Sequence, residues 1–296
     1  MLDFRIETFL CVCKYMNYTK AAKELNITQP GVSQHIKYLE EYYGDKLFGY
    51  TNKKLTLTQA GLDLRDTMIS VKHDNVHLQN KIKERVEGTN LIKFGATLTI
   101  GDFLLPLKIS DYIERNPNTQ IDFTIANTKE LLTLLEDGKI DFAIVEGYFQ
   151  KSGYEYRTIS NEKYILVCRK DYPLEQVEDF KELFCHNLLL REDGSGTKEI
   201  LERYLSDCGY TFSDFSSTSV ISSIHAIKKL LEKGHGISFM YEIAVKKELE
   251  EGRLKAVTIK NFDLYHEFNY IWRKNSAFYD YYQTLFSSLF QADNDD

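Results

Sequence analysis

Val32, Ile36 and Leu39 recur at helical spacing and form one apolar stripe, while Gln29, Ser33 and Lys37 recur at i, i+4 and i+8 on another, with Gln34 beside them. The spacing predicts two short helices within residues 19–44, joined by a tight turn. Thr19 is placed to cap the first helix, whose Ala21, Ala22 and Leu25 permit close packing, and Asn26 suits a left-handed turn residue. Thr28 is placed to cap the second. Pro30 in its first turn forfeits nothing, because the earliest N–H groups of a helix have no intrahelical acceptor. Gly44 ends it. Residues 46–61 then set short apolar runs on either side of a turn at 51–54, as a winged motif requires.

From Thr58 to Glu87 the pattern is that of one long helix without proline. Leu64, Met68, Val71, Asn75, Leu78 and Ile82 are spaced 4, 3, 4, 3, 4, a heptad seam with one polar residue. Such a stripe either pairs two chains or packs a helix on its own domain. Pairing is expected, because a helix-turn-helix reading a pseudo-palindrome works in two copies. Gly88-Thr89-Asn90 breaks the helix.

Beyond residue 90 strands alternate with helices. Strands are expected at 91–96, 120–126, 140–146, 164–169, 188–191, 218–220, 236–240 and 267–273. Helices are expected at 104–114, from a Thr128 cap to Gly138, and at 197–208, 223–232, 241–251 and 277–290. The fold class is α/β, with a mostly parallel, helix-covered sheet. The expected division is residues 1–58 as a winged helix-turn-helix, 59–90 as a linker and dimerisation helix, and 91–296 as a ligand-binding body. Within the body, lobe I takes about 91–160 and 268–296, and lobe II about 161–267. Length alone also fits an α/β enzyme, which would need a nucleophile–base pair or a cofactor fingerprint; neither is found.

Amides, hydroxyls and lysines on a narrow helix reach base edges and phosphates in a major groove. The residues assigned to DNA are therefore Thr19, Thr28, Gln29, Pro30, Ser33, Gln34, Lys37, Lys53, Lys54 and Thr58. The competing reading of this stretch is an ordinary helical hairpin inside an all-α core. Charge refines the picture: residues 1–90 carry +2 and residues 91–296 carry −9, so the chain totals −7. A mildly basic head needs base contacts and a second copy as well as phosphate neutralisation, and an acidic body keeps DNA away from the rest of the chain.

Five cysteines (Cys11, Cys13, Cys168, Cys185, Cys208) lack metal-ligand spacing, so thiols are expected rather than zinc or disulfides, and no cofactor is expected. No apolar run approaches membrane-spanning length and no signal-peptide pattern opens the chain, so the expected compartment is the cytoplasm, with no membrane partner. The acidic run at 293–296 reads as a tail.

In α/β folds ligands collect where strands hand over to helices. Here those places are Thr97-Leu98-Thr99, Glu146-Gly147-Tyr148, the run from Arg191 to Thr197, and Ser223 with His225 in the helix that follows. Hydroxyls and free N–H groups at helix N-termini receive anions. Ser195 and Thr197 can donate to a carboxylate, sulfate or phosphate; equally, the glycines and serine could simply make a short βα turn. His225 reads more readily as a surface histidine than as a ligand.

Ala21-Ala22, Leu25, Gln29-Pro30, Val32-Ser33, Ile36, Leu39-Glu40, Gly44, Leu47-Phe48 and Leu57-Thr58-Gln59-Ala60-Gly61 together resemble the LysR-type transcriptional regulators. Tyr50 and Lys53 stand where that family usually has Arg, and Lys53 with Lys54 supply point charges in place of a planar fork. The resemblance implies a two-lobed, periplasmic-binding-protein-like effector domain, a linker helix that pairs subunits into a homodimer or homotetramer, promoter DNA as partner, a small anionic effector, and contact with RNA polymerase. GATLTIGDFLLP, VEG, LREDGSGTK and AIKKLLEKGHGISF resemble the branch that includes regulators of sulfur assimilation and carbon fixation. By that resemblance Thr97, Thr99, Ser195, Gly196, Thr197 and Ser223 contact the effector; His225 and Lys198 depart from the common acidic residue and Arg. A thiol-switched regulator of the same fold, using Cys185 and Cys208, is the alternative.

Overall fold

The computed structural model describes residues 3–290; the acidic run at 293–296 lies outside them. The head opens with α1 (Phe4–Tyr15), α2 (Tyr18–Glu24) and α3 (Gln29–Tyr43). Thr28 Oγ1 accepts from Gly31 N at 3.2 Å, Asn26 is left-handed (φ 54°), and Gly44 closes α3 at φ 76°. One expectation is corrected. Asn17, not Thr19, caps α2, accepting from Lys20 N at 2.9 Å, because its carboxamide lies where the first free N–H groups point; Thr19 is an exposed residue of the first turn.

Strands β1 (Phe48–Thr51) and β2 (Lys54–Leu57) form an antiparallel hairpin, closed by Asn52 and Lys53 at positive φ (51° and 63°). Two consecutive left-handed residues match the twist of a hairpin, and the tip therefore projects Lys53 and Lys54 outward. Phe9, Val12, Ala21, Val32, Ile36, Leu47 and Phe48 form the head's core. The long helix α4 (Gln59–Glu87) starts against it: a Cβ on Gly61 would lie 2.1 Å from the Leu47 carbonyl oxygen, so only glycine lets helix and wing backbone touch.

The expected seam on α4 divides. Leu64 is buried in the head's core and Met68 packs against it, so these two are not available to a second chain. Val71, Leu78 and Ile82 are exposed, and Asn75 is half-buried. A different, polar face of α4 packs on the chain's own body. His77 Nδ1 lies 2.7 Å from Asp141 Oδ1, Ser70 donates to the Lys274 carbonyl at 2.8 Å, and Asp74 accepts from Ser276 Oγ and Ala277 N at 2.6 and 2.7 Å. The helix is thus fixed to the body by hydrogen bonds while Val71, Leu78 and Ile82 stay open.

The body begins with β3 (Asn90–Ala96), α5 (Leu98–Phe103), α6 (Leu105–Arg115), β4 (Thr119–Ile125), α7 (Thr128–Glu136) and β5 (Phe142–Val145). Asn127 caps α7, accepting from Glu130 N; Thr128 instead donates to the Glu146 carbonyl, which corrects the expected Thr128 cap. The second half follows with β6 (Tyr154–Arg169), β7 (Gln176–Val177), β8 (Asn187–Leu190), α8 (Gly196–Asp207), β9 (Ser217–Val220), α9 (Ile224–Glu232), β10 (Ser238–Tyr241), α10 (Glu242–Glu250) and β11 (Leu254–Ile259). The chain returns through β12 (Leu264–Arg273) to α11 (Tyr279–Phe290), which packs Tyr282, Leu285, Phe286 and Leu289 into the core shared with Phe94 and Phe142.

The main sheet runs β4-β3-β5-β12-β6-β11-β7, with β10 also paired to β6. Its first three strands are parallel; β6 and β12 are long and antiparallel over ten paired positions, with a register shift at Phe268/Asn269. These two strands run straight through the expected lobe boundary near 160 and 268. They form a two-stranded crossing between the β3–β5 half and the β8–β11 half.

Candidate functional site

Two surfaces stand out. On the head, α3 buries Val32, Ile36 and Leu39 and leaves Gln29, Pro30, Gln34 and Lys37 exposed, with Ser33 half-buried. Gln29 Nε2 donates to Ser33 Oγ at 3.0 Å, one turn along, so amide and hydroxyl form a single polar edge. Lys37 makes only a loose, exposed pair with Glu41 at 3.6 Å, worth little, and its ammonium is free to swing to a phosphate. Thr28 and Thr58 have structural duties as helix caps; Thr58 also donates to the Lys46 carbonyl at 2.5 Å, tying the wing to α4. The opposite end of α3 carries Tyr38, with the Arg5 guanidinium 3.8 Å above its ring.

In the body the strand ends converge. Glu146, which follows β5, is almost fully buried at 1 % exposure. Its Oε1 accepts from Thr99 Oγ1 at 3.1 Å and from Thr197 Oγ1 at 2.8 Å, so one carboxylate oxygen joins the first turn of α5 to the first turn of α8. Its backbone N donates to Thr97 Oγ1 at 3.3 Å. Burial pushes the carboxyl up to about 7, against the opposing pull of the two hydroxyls and of the Arg191 charge. The backbones meet here as well. A Cβ on Gly196 would sit 2.7 Å from the Glu146 carbonyl oxygen, and one on Gly147 would sit 2.8 Å from Gly196 Cα.

Around this junction lie two tyrosines that the sequence pattern does not mark, together with Arg191, which opens the run from Arg191 to Thr197. Tyr164, on β6, donates to the Thr197 carbonyl at 2.8 Å, and burial together with the Glu146 charge holds its phenol well above its ordinary range. Tyr241 is fully buried and likewise raised. Arg191, 7 % exposed, is gripped by Glu192 through Nε and Nη2 at 2.8 and 2.9 Å. Its place in LREDGSGT was the available signal; the two tyrosines lie in ordinary-looking strands and gave none.

Of the expected effector contacts, the fold gathers Thr97, Thr99, Glu146, Gly196 and Thr197, with Ser195 buried at the start of α8 and Leu98 half-buried at the start of α5. It does not gather the others. Tyr148 is 41 % exposed on the rim, under the Arg203 guanidinium at 3.5 Å. Ser223 is exposed and caps α9, accepting from Ala226 N at 3.2 Å. His225 is exposed against the Phe103 ring. All five cysteines are free; burial pushes Cys13 up to about 12 and Cys168 up to about 11, while Cys185 and Cys208 are exposed. Among the described residues no helix is long and apolar enough to cross a membrane.

A winged helix-turn-helix presenting a polar helix edge, tied by one long helix to a two-part body with a buried polar junction, defines a DNA-binding regulator that responds to a ligand. Residues 5–62 match the family described as bacterial regulatory helix-turn-helix protein, lysR family, and residues 86–289 match the LysR substrate binding domain. The chain belongs to the LysR family of transcriptional regulators, with its effector-binding domain. It is 30% identical over 263 residues to the uncharacterized HTH-type transcriptional regulator MJ0300 of Methanocaldococcus jannaschii, covering 87% of this chain and 88% of that protein. It is 27% identical to the HTH-type transcriptional regulator CysL of Bacillus subtilis, covering 97% of both. The regulatory domain of CcmR from Synechocystis PCC6803, solved in complex with 2-PG, shares the fold at a TM-score of 0.61 and 17% identity, over 70% of this chain and 99% of that one. LysR-family regulators bind DNA and small-molecule effectors and form oligomers.

Proposed function

We propose that this regulator reads a two-fold-related promoter site through Gln29, Ser33, Gln34 and Lys37 of α3, with Lys53 and Lys54 of each wing on flanking phosphates. The observation that carries the reading is the division of α3: its apolar stripe is buried and its amide–hydroxyl edge is exposed and already aligned. Residues 1–58 act as the reader, 59–90 as linker and 91–296 as sensor. Two chains pair through the α4 stripe of Val71, Asn75, Leu78 and Ile82, whose apolar members are exposed to solvent in the single chain.

The effector enters between the halves of the body, at the Glu146–Thr99–Thr197 junction, and presents an anionic group to Arg191 and the N-terminus of α8. Its arrival changes how the β6–β12 crossing sets the halves, and through α4 the spacing of the heads on DNA and their contact with RNA polymerase. The protein works in the cytoplasm.

Selection of duplexes from a randomised pool by the full-length chain tests the reader. The expected product is a site with two related half-sites about one helical turn or a multiple apart. Gln29→Ala with Ser33→Ala should abolish the sequence preference, whereas Lys53→Ala should weaken all duplexes alike. Unchanged preference in the double variant would reject α3 as the reading helix.

A further inference from the structure

Three buried polar groups around the junction end with an unanswered atom. Glu146 Oε2 has no hydrogen-bond partner, although Oε1 of the same carboxylate has two. Arg191 Nη1 has none, although Nε and Nη2 are held by Glu192. Tyr241 Oη has none, and it lies close enough to Glu146 for the carboxylate charge to raise its phenol. Buried polar atoms are satisfied in the great majority of cases. Other unanswered ones occur in the body, at Tyr270, Trp272 and Tyr282 among them, but at this junction a carboxylate and a guanidinium are left open together, which marks a place for a partner of both charges.

We propose that this partner, and hence the effector, is a small zwitterion of amino-acid type, its ammonium on Glu146 Oε2 and its carboxylate on Arg191 Nη1. The inference deepens the effector reading above and rests on it. Its ground is charge. An inorganic anion or a simple carboxylic acid satisfies Arg191 but brings no donor to Glu146 Oε2, and once that carboxyl is ionised, above about pH 7, it lies against a like charge. A simple amine satisfies Glu146 and leaves the guanidinium edge unanswered. A zwitterion meets both and adds no net charge to the buried volume, and Tyr241 Oη completes either end.

Thermal unfolding of the full-length chain, followed through its only tryptophan, Trp272, which is fully buried on β12, provides the test. The probes are the common L-amino acids, each beside the matched acid lacking the amine and the matched amine lacking the acid; for alanine these are propionate and ethylamine. Inorganic sulfate and phosphate complete the set. At least one amino acid should raise Tm by about 3 °C or more at saturation, with neither of its matched partners doing so. Glu146→Gln should weaken that amino acid at least about thirtyfold, as expected when one member of a buried charge pair is lost. It should also let the matched acid bind more tightly. Stabilisation by acids or inorganic anions alone, undiminished in Glu146→Gln, would overturn the zwitterion and keep the cleft as an anion site. A set of probes in which nothing shifts Tm would reject both the zwitterion and the cleft.

Discussion

Glu146→Gln should change the way stability depends on pH, and by an amount the structure sets. The carboxyl moves from an ordinary 4.5 in the unfolded chain to about 7 in the fold, chiefly through burial. The folded protein therefore holds this proton more tightly than the unfolded chain does between those two values. Raising the pH through that window removes stability: the contribution is complete below about 4.5 and gone above about 7. At about 1.4 kcal/mol per pH unit, the loss is on the order of 3 kcal/mol. Glutamine is nearly isosteric, keeps an oxygen to accept from Thr99 and Thr197, and has no charge to bury. The variant should match the wild type near pH 4.5 and exceed it at pH 8, by roughly 5–10 °C in Tm for a domain of this size. The lowered carboxyls of Asp74 and Asp193 act in the opposite direction but are common to both proteins, so the difference between the two curves isolates Glu146. Ligand-free protein and Trp272 fluorescence suffice. Parallel curves for the two proteins, or a variant less stable at pH 8, would refute the claim that this carboxylate carries an unrelieved burial cost.

Gly61→Ala should destabilise the head by several degrees while the Trp272 transition stays in place, because the new methyl group meets the Leu47 backbone; limited proteolysis of the wing would report it. Leu78→Asp with Ile82→Asp should leave the fold intact, since both positions are exposed, yet reduce the oligomer in sedimentation velocity and weaken operator binding at least tenfold. An unchanged sedimentation coefficient would show that subunits meet elsewhere. Thr28→Ala should cost about 1 kcal/mol through loss of the α3 cap, seen as faster amide exchange in α3.

What the sequence disclosed follows the range of the forces involved. The helix α3 was legible because its determinants are local: a Thr28 cap, a left-handed Asn26 and a Gly44 stop act within a few residues of their own positions. The two misplaced caps fail for one reason. Asn17 and Asn127 stand just upstream of Thr19 and Thr128, and either carboxamide reaches the free N–H groups first. The first half of β6 escaped notice because its side chains are mostly exposed or half-buried, and β11 because Lys255, Ala256 and Thr258 interrupt its buried positions. The α4 seam was drawn too far toward the head, since heptad spacing cannot tell a partner chain from the chain's own head, and Leu64 and Met68 belong to the head.

The cleft shows the limit most plainly. Thr99, Glu146 and Thr197 could each be named from a strand end or helix start. That a carboxylate bonds both hydroxyls, across separations of 47 and 51 residues, is a property of the folded sheet alone. It also changes the chemistry: hydroxyls that looked ready for an anion are already engaged by one of the chain's own.

The most direct measurement is a crystal structure of the full-length protein on a duplex recovered from the randomised pool. In that complex α3 of each subunit should lie in a major groove, with Gln29 and Ser33 within hydrogen-bond distance of base edges and Lys53 and Lys54 beside phosphates. A complex in which α3 lies on the phosphate backbone, its amides touching only protein, would contradict this expectation.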